Sequence, residues 1–319
     1  MLKEKKQKII VILGPTASGK TKLAVSLARK FNGEIVSADS RQVYKGMNVG
    51  TGKDLKEYII KSQIANRKSQ INKISYHLID AVEPKQEFNL AKYQKLAYGA
   101  IDDILTRGKL PIVVGGTGLY LQAVVDSYQL SKAKPDKKLR EKLEKMSAQK
   151  LFKILSGLDY KKANGLNESD KKNKRRLIRY IEVAKSGFVA KAVEPFKQQY
   201  EFLLIGVKKN REEIRKRIYK RLIERLEKED MIGEVERLRK QGLSWKRLES
   251  FGLEYKFISE YLRNRLTYEE MVEKLNIAIS QFAKRQMSWF RRWERQGRKI
   301  YWIKNTRMGK KLIKIFLKK

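Results

Sequence analysis

Eight consecutive residues carry the plainest chemistry in the chain: Gly14-Pro15-Thr16-Ala17-Ser18-Gly19-Lys20-Thr21, a G-x-x-x-x-G-K-[ST] run. The glycines let the backbone curl so that successive N–H groups point inward. With the dipole of a following helix and the mobile charge of Lys20, they make a cradle for phosphate oxygens. Thr21 is placed to reach a Mg²⁺ ion held by the same phosphates. The cradle specifies a diphosphate or polyphosphate and does not say which. Two further segments could face it. Asp39, in Ser37-Ala38-Asp39-Ser40-Arg41-Gln42-Val43-Tyr44, follows a strand-like run. It can serve there as a metal ligand, a general base or a helix cap, and the sequence weights the three evenly. Val114-Gly115-Gly116-Thr117-Gly118 is a second glycine-rich turn with a hydroxyl at its tip. Beside the first cradle it reads as a second set of donors closing on the phosphate chain rather than an ordinary tight turn.

These segments need a scaffold that brings them to one edge. Lys8–Leu13 is a short, nearly continuous apolar run, as expected of a parallel strand buried on both faces. Lys20–Lys30 has helical apolar spacing, and Glu34–Ser37, Ile74–Ile79 and Leu110–Val114 are further strands. Asn89–Leu105 is a helix beginning near the cap-like Asn89. This alternation predicts an α/β fold with a P-loop-type parallel sheet flanked by helices. From residue 128 to 200 the chain turns lysine-rich and helical, with no strand. Phe202–Val207 then returns to the buried-strand pattern. The expected organisation is a core of residues 1–127 plus 201–319, interrupted by a helical insertion domain over 128–200. Arg211–Gln241 and Tyr268–Arg295 read as basic helices, Lys299–Ile303 as an edge strand, and Lys310–Lys319 as a basic amphipathic end that is solvated or touches RNA.

Composition narrows the chemistry. The 319 residues contain no cysteine and one histidine (His77), which excludes disulfides, thiolate metal sites and a cysteine nucleophile. His77 reads as a structural residue at a strand end. No apolar run reaches the length of a membrane span, so a cytosolic protein without a membrane partner is expected. The formal charge of +39 calls for an anionic partner. Residues 1–125 hold 21 basic and 10 acidic side chains, and residues 126–319 hold 53 and 25 together with all four tryptophans. That skew favours a polyanion-binding surface, foremost for nucleic acid.

Taken in order, the motifs resemble the tRNA dimethylallyltransferase (tRNA isopentenyltransferase) family of the bacterial type. They are Gly14–Thr21, the Asp-Ser-x-Gln-x-Tyr run at Asp39–Tyr44, Gly46-Met47 with Gly50-Thr51, Tyr76-His77-Leu78-Ile79-Asp80 and Val114–Thr117. Downstream come Arg176-Leu177-Ile178-Arg179-Tyr180-Ile181-Glu182, similar to an R-x-x-R-x-x-E helix, and Ala283-Lys284-Arg285-Gln286 with Trp289 and Arg291. The likeness runs from about residue 8 to 303. The chain departs from it at Tyr76, at Gly50-Thr51-Gly52-Lys53-Asp54 (Gly-Thr-Ala-Lys-Pro in the family) and at Phe251-Gly252-Leu253 (an Ile-Gly-Tyr element).

The resemblance implies transfer of a dimethylallyl group from dimethylallyl diphosphate to the exocyclic amine of the adenosine immediately 3′ of the tRNA anticodon, with release of diphosphate. In that reading the cradle holds diphosphate instead of spending ATP. Asp39 orients the amine and takes its proton, and Thr117 bonds the leaving oxygen. Arg217 and Arg221 clamp the diphosphate, Ser40, Arg41 and Gln42 read the flipped adenine, and Arg175, Arg176 and Arg179 grip the anticodon backbone. Lys284, Arg285 and Gln286 are further tRNA contacts, and the enzyme acts as a monomer with Mg²⁺. Three competing readings are a P-loop kinase or NTPase using Asp39 or Asp80, a transferase for free adenine nucleotides, and a non-catalytic RNA-binding protein. The basic insertion speaks against the second, and intact Lys20, Asp39 and Thr117 against the third.

Overall fold

The computed structural model describes residues 6–63, 69–131, 133, 135–187 and 199–318. The chain forms two compact units, Met1–Ser127 with Phe196–Lys319, and Tyr128–Pro195. The larger unit opens with β1 (Gln7–Leu13), α1 (Lys20–Lys30), β2 (Gly33–Ser37), β3 (Ile59–Gln63), β4 (Ser69–Lys73), β5 (Tyr76–His77), α2 (Leu90–Thr106), β6 (Leu110–Gly115) and α3 (Gly118–Val125). Every regular element described in the smaller unit is a helix: α4 (Lys137–Glu144), α5 (Ala148–Leu158), α6 (Tyr160–Asn164), α7 (Glu168–Lys171) and α8 (Lys174–Lys185). The larger unit resumes with β7 (Tyr200–Val207), α9 (Arg211–Glu227), α10 (Met231–Lys240), α11 (Trp245–Ser250), α12 (Leu253–Leu262), α13 (Tyr268–Arg295), β8 (Ile300–Ile303) and α14 (Thr306–Lys318).

Six strands make one parallel sheet in the order β5-β2-β6-β1-β7-β8. The first apolar run is its centre, and alternate residues of β1 feed opposite cores. Ile9, Val11 and Leu13 pack with Tyr93, Ala97 and Ile101 of α2 and with Phe290 and Trp293 of α13. Ile10 and Ile12 pack with Leu23, Leu27 and Ala28 of α1 and with Ile313 and Phe316 of α14. A sheet buried on both faces explains the unbroken apolar texture of its strands. In the smaller unit Leu143, Leu151, Leu155, Leu177 and Ile181 form a separate core.

Several local expectations need correction. The strand expected over Ile74–Ile79 keeps only Tyr76 and His77, because Leu78 (φ 62°) and Asp80 (φ 53°) turn the backbone into the left-handed region. The basic run Arg211–Gln241 is two helices, broken where Asp230 (φ 55°) caps α10 through a bond from the Gly233 N–H. The antiparallel pair β3–β4 and helices α11 and α12 carry no pattern strong enough to be read in advance. The C-terminal segment is more than a solvated end. Its Gly309, Ile313 and Phe316 are buried, and the Lys8 amine donates to the Phe316 and Leu317 carbonyls. Among the described residues no helix is long and apolar enough to cross a membrane.

One buried carboxylate ties the loop after β2 to the C-terminal helices. Glu234 of α10 accepts the N–H groups of Asn48 (2.7 Å), Val49 (2.7 Å) and Gly50 (3.0 Å), and the Tyr255 hydroxyl (2.8 Å). Replacing Glu234 by Ala strands three backbone donors at once. The variant should lose about 3 kcal/mol or more of stability, read as a lower urea midpoint, whereas Glu234→Gln should lose less. An unchanged midpoint in Glu234→Ala would show that the loop does not depend on this anchor.

Candidate active site

The first cradle leaves the central strand β1 and enters α1, at the C-terminal edge of the parallel sheet, where such folds bind ligands. Its shape is held by a residue far away in sequence. Gln286 of α13 accepts the Thr16 N–H (2.8 Å) and donates to the Gly116 carbonyl (3.0 Å), bridging the two glycine-rich turns through one amide. Gln286 was expected to touch RNA. Its side chain instead turns inward and spends both amide atoms on this clasp, whereas Lys284 and Arg285 beside it are exposed. The second turn leaves no room for a side chain at Gly115, and one at Gly116 would push the Gln286 amide off its clasp. An added Cβ would come within 2.2 Å of the Ala38 carbonyl oxygen and 2.3 Å of Gln286 Nε2 respectively.

That close approach brings Asp39 and Thr117 together. The Thr117 N–H donates to the Ala38 carbonyl (3.4 Å), and the Ser40 N–H donates to the Thr117 hydroxyl (3.3 Å). Because that hydroxyl oxygen already accepts a bond, its own hydrogen is free to donate to a ligand. Asp39 Oδ1 accepts the N–H groups of Arg41 (2.9 Å) and Gln42 (3.4 Å). The local turn thus fixes the carboxylate, and among the described residues Oδ2 takes no protein hydrogen bond. Capping and chemistry, alternatives in the sequence, can be served by different oxygens of one carboxylate. Gln42 is occupied internally, through Ser37 Oγ (3.2 Å) and the Gly52 carbonyl (3.0 Å), and Arg41 donates to the Ser250 carbonyl (3.2 Å).

The charges around the cradle are mutually dependent. Burial pushes the Lys20 amine down to about 8, with the Asp39 carboxylate opposing that shift and Arg221 reinforcing it. Burial also lowers Arg221, helped by the neighbouring charge of Arg225. Arg217 pairs with Glu213 (2.9 Å) and approaches Gly19, and Arg221 pairs with Asp54 (3.0 Å). A cavity lies against the cradle, lined on its polar side by Thr16, Arg221, Arg225 and Glu254 and on its apolar side by Ile218, Leu222, Met231 and Ile279. Arg225 and Glu254 were missed in the sequence. Arg225 had a signal, since 217, 221 and 225 fall on one face of α9. Glu254 had none.

Two other polar clusters are structural in character. Lys53, fully buried, bonds Asp80 (2.5 Å) and the Tyr44 carbonyl, pinning the loop that carries Asp54. His77 Nε2 meets Glu34 (2.8 Å), which also holds Arg107 (2.5 Å) and Lys109 (2.7 Å). Hydrogen bonds to Glu34, that of Arg107 foremost, hold its carboxyl far below the usual carboxylate range.

In the smaller unit, the arginines expected to grip RNA are partly committed elsewhere. Arg176 pairs with Asp170. Arg179 donates to the Ala133 carbonyl (3.1 Å) and to the buried Glu182 (3.2 Å), which Arg140 also binds (2.6 Å). Arg175 is exposed and has no ion-pair partner among the described residues.

A Mg²⁺ ion fits this site only with help from a ligand. Among the described residues no group of three His, Cys, Asp or Glu side chains could hold a metal, so protein oxygens such as the Thr21 hydroxyl would supplement those of a bound diphosphate.

A family model described as IPP transferase matches residues 42–293. The tRNA dimethylallyltransferase 1 of Syntrophus aciditrophicus is 48% identical over 296 residues, covering 92% of this chain and 93% of the relative. The protein of the same name from Geotalea daltonii is 44% identical, with 92% and 90% covered. Among solved structures, the tRNA isopentenylpyrophosphate transferase of Staphylococcus epidermidis is 32% identical with a TM-score of 0.65, covering 98% of this chain and 99% of that one. A eukaryotic dimethylallyltransferase acting on tRNA is 26% identical with a TM-score of 0.68, covering 89% and 70%. With the motifs in order on one parallel sheet and a family match over most of its length, this chain belongs to the IPP transferase family, that of the tRNA dimethylallyltransferases.

Proposed function

We propose that this enzyme transfers the dimethylallyl group of dimethylallyl diphosphate to the exocyclic amine of the adenosine 3′ of the tRNA anticodon. The observation that carries this reading is the convergence of a fixed carboxylate, a donating hydroxyl and a cationic cradle: Asp39, Thr117 and Gly14–Thr21 meet at one sheet edge. The adenine nitrogen forms a bond to the first carbon of the dimethylallyl group as the bond to the diphosphate oxygen breaks. The electron pair leaves with the diphosphate, and the amine proton passes to Asp39 Oδ2. Thr117 donates to the leaving oxygen, and the cradle with Lys20, Arg217 and Arg221 stabilises the charge that develops there. Mg²⁺ with Thr21 would add Lewis-acid stabilisation to the same oxygens. Nothing in this scheme calls for ATP hydrolysis. The smaller unit, Tyr128–Pro195, and the exposed Lys284 and Arg285 supply the RNA surface, and the enzyme works in the cytoplasm as a monomer.

The direct test is mass spectrometry of nucleosides from tRNA incubated with the purified protein and dimethylallyl diphosphate. A dimethylallyl-adenosine is expected, and RNA-independent ATP turnover without it would favour a kinase or NTPase. Asp39→Asn should keep tRNA binding while slowing turnover by ~10²-fold or more, the scale of a lost general base. Unchanged turnover would remove Asp39 from the mechanism.

The depressed Lys20 sets a pH dependence. Its charged form binds diphosphate and is half lost at pH about 8 in the free protein. Affinity for inorganic diphosphate should therefore weaken as pH rises above that value, relative to Lys20→Arg, whose guanidinium stays charged. Identical pH profiles for the two proteins would show that Lys20 does not carry the effect.

Arg175 tests the RNA surface separately. Arg175→Ala should lower affinity for all substrate tRNAs alike and flatten the slope of log K against log salt by roughly 0.7–0.9, the effect of one lost phosphate contact. An identical slope would place the RNA on other cations.

A further inference from the structure

Asp54 lies on the loop held by Lys53 and Glu234, and it reaches α9. Its carboxylate takes one bond from Arg221 (Nη2 to Oδ2, 3.0 Å) and one from Arg225 (Nη2 to Oδ1, 3.2 Å). The Arg225 side chain is only 13% exposed, and among the described residues Asp54 is its only hydrogen-bond acceptor. A guanidinium has five donors in a rigid fork, so one with a single protein acceptor keeps donors that water or a ligand can take; among the described residues none of the Arg225 nitrogens is both buried and unpartnered. Both arginines line the cavity beside Thr16 and Ala17 of the cradle, and Asp54 lies outside that lining. Gly52 leaves the space: a Cβ there would come 2.7 Å from Arg225 Nη2 and 3.3 Å from its Cζ. Gly52 and Asp54 lie two residues apart on this loop. Both act on the same guanidinium.

We propose that Arg225 is a second diphosphate-binding guanidinium beside Arg221, and that Asp54, in the room left by Gly52, is the residue that positions it. The proposal rests on reading the cradle as the diphosphate site. Two guanidinium groups on successive turns of one helix repel each other, and a carboxylate shared between them from outside the cavity holds them together while leaving most of their donors free. A diphosphate supplies the several acceptor oxygens that those donors lack. Glu254 is the carboxyl that faces the arginines from within the cavity. Burial pushes it up toward the neutral form, so it competes less with an incoming anion.

The test is calorimetric titration of the full chain with inorganic diphosphate, followed by steady-state kinetics with dimethylallyl diphosphate. Arg225→Met should weaken diphosphate about tenfold, the worth of one charge-assisted contact, and raise KM for the diphosphate substrate while leaving KM for tRNA unchanged. Arg225→Lys should recover part of the loss. Asp54→Ala should also weaken diphosphate, and Arg225→Met combined with Asp54→Ala should bind within about twofold of Arg225→Met alone, because both remove the same contact. Thermal unfolding checks that each variant is folded, and Asp54→Asn and Arg225→Gln stand in for any that is not. Unchanged diphosphate affinity in folded Arg225→Met or Arg225→Gln would overturn the proposal. So would tighter binding in folded Asp54→Ala or Asp54→Asn, which would make Asp54 a competitor of the ligand. Lys20→Ala separates the two levels. If it too keeps diphosphate affinity, the cradle is not the diphosphate site; if it alone loses affinity, only the role of Arg225 and Asp54 fails.

Discussion

A site for a diphosphate must hold several cations close together while the anion is absent, and like charges at such spacing repel. In the proposed diphosphate site, Lys20, Arg217, Arg221 and Arg225 pose that problem at the C-terminal edge of this sheet. The chain answers it with carboxylates placed outside or around the cavity: Glu213 on Arg217, Asp54 on Arg221 and Arg225, and Asp39 near Lys20. At Lys20 burial, with a smaller contribution from Arg221, loosens the proton and so eases the same crowding. A bound diphosphate would reverse that shift, so ligand affinity and proton uptake at Lys20 are linked. The cradle is therefore charged in proportion to what it holds.

Positions around that cluster are set by backbone contacts. The β6–α3 turn comes so close to the chain after β2 that Gly115 meets the Ala38 backbone, and this approach puts the Thr117 hydroxyl against the Ser40 N–H. Gln286 then fastens the same turn to the cradle. A shift of either turn would move the Thr117 hydroxyl relative to the Asp39 carboxylate. Positional precision of this kind decides rates, because reacting groups must be held at near-contact distances. The signature around Ala283–Gln286 thus contributes at least one residue to the geometry of the active site and leaves its exposed lysine and arginine to the solvent side.

Most of this was legible where local chemistry was strong. The cradle, the buried strands β1, β6 and β7, the Asn89 cap and the full span of α13 follow from glycine spacing, apolar runs and helical periodicity. So does the entry of Asp39 and Thr117 at strand ends. What escaped was long-range or depended on single backbone angles. The clasp of Gln286 joins residues 270 and 170 positions apart in sequence, and no periodicity announces it. The loss of strand after His77 rests on left-handed Leu78 and Asp80, residue types that do not demand that conformation. Gly52 and Asp54 stood out only as departures from a familiar run, and their meaning needed the position of Arg225.

The helix Arg176–Glu182 shows how one motif can serve structure and binding unequally. Glu182 is buried, and a buried carboxylate must be paired to be tolerated. Arg140 and Arg179 meet that need from two helices, and Asp136 donates its N–H to the same side chain (3.0 Å). Two of the motif's three charged residues are therefore required by the packing of the smaller unit. What stays exposed is the rest of the basic surface, Arg175 among it. Phosphate contacts add up from many weak, salt-screened interactions and need no fixed geometry. A large excess of dispersed lysine and arginine is what such a surface requires once its best-placed arginines are committed to the fold, and the concentration of basic residues after position 126 supplies it.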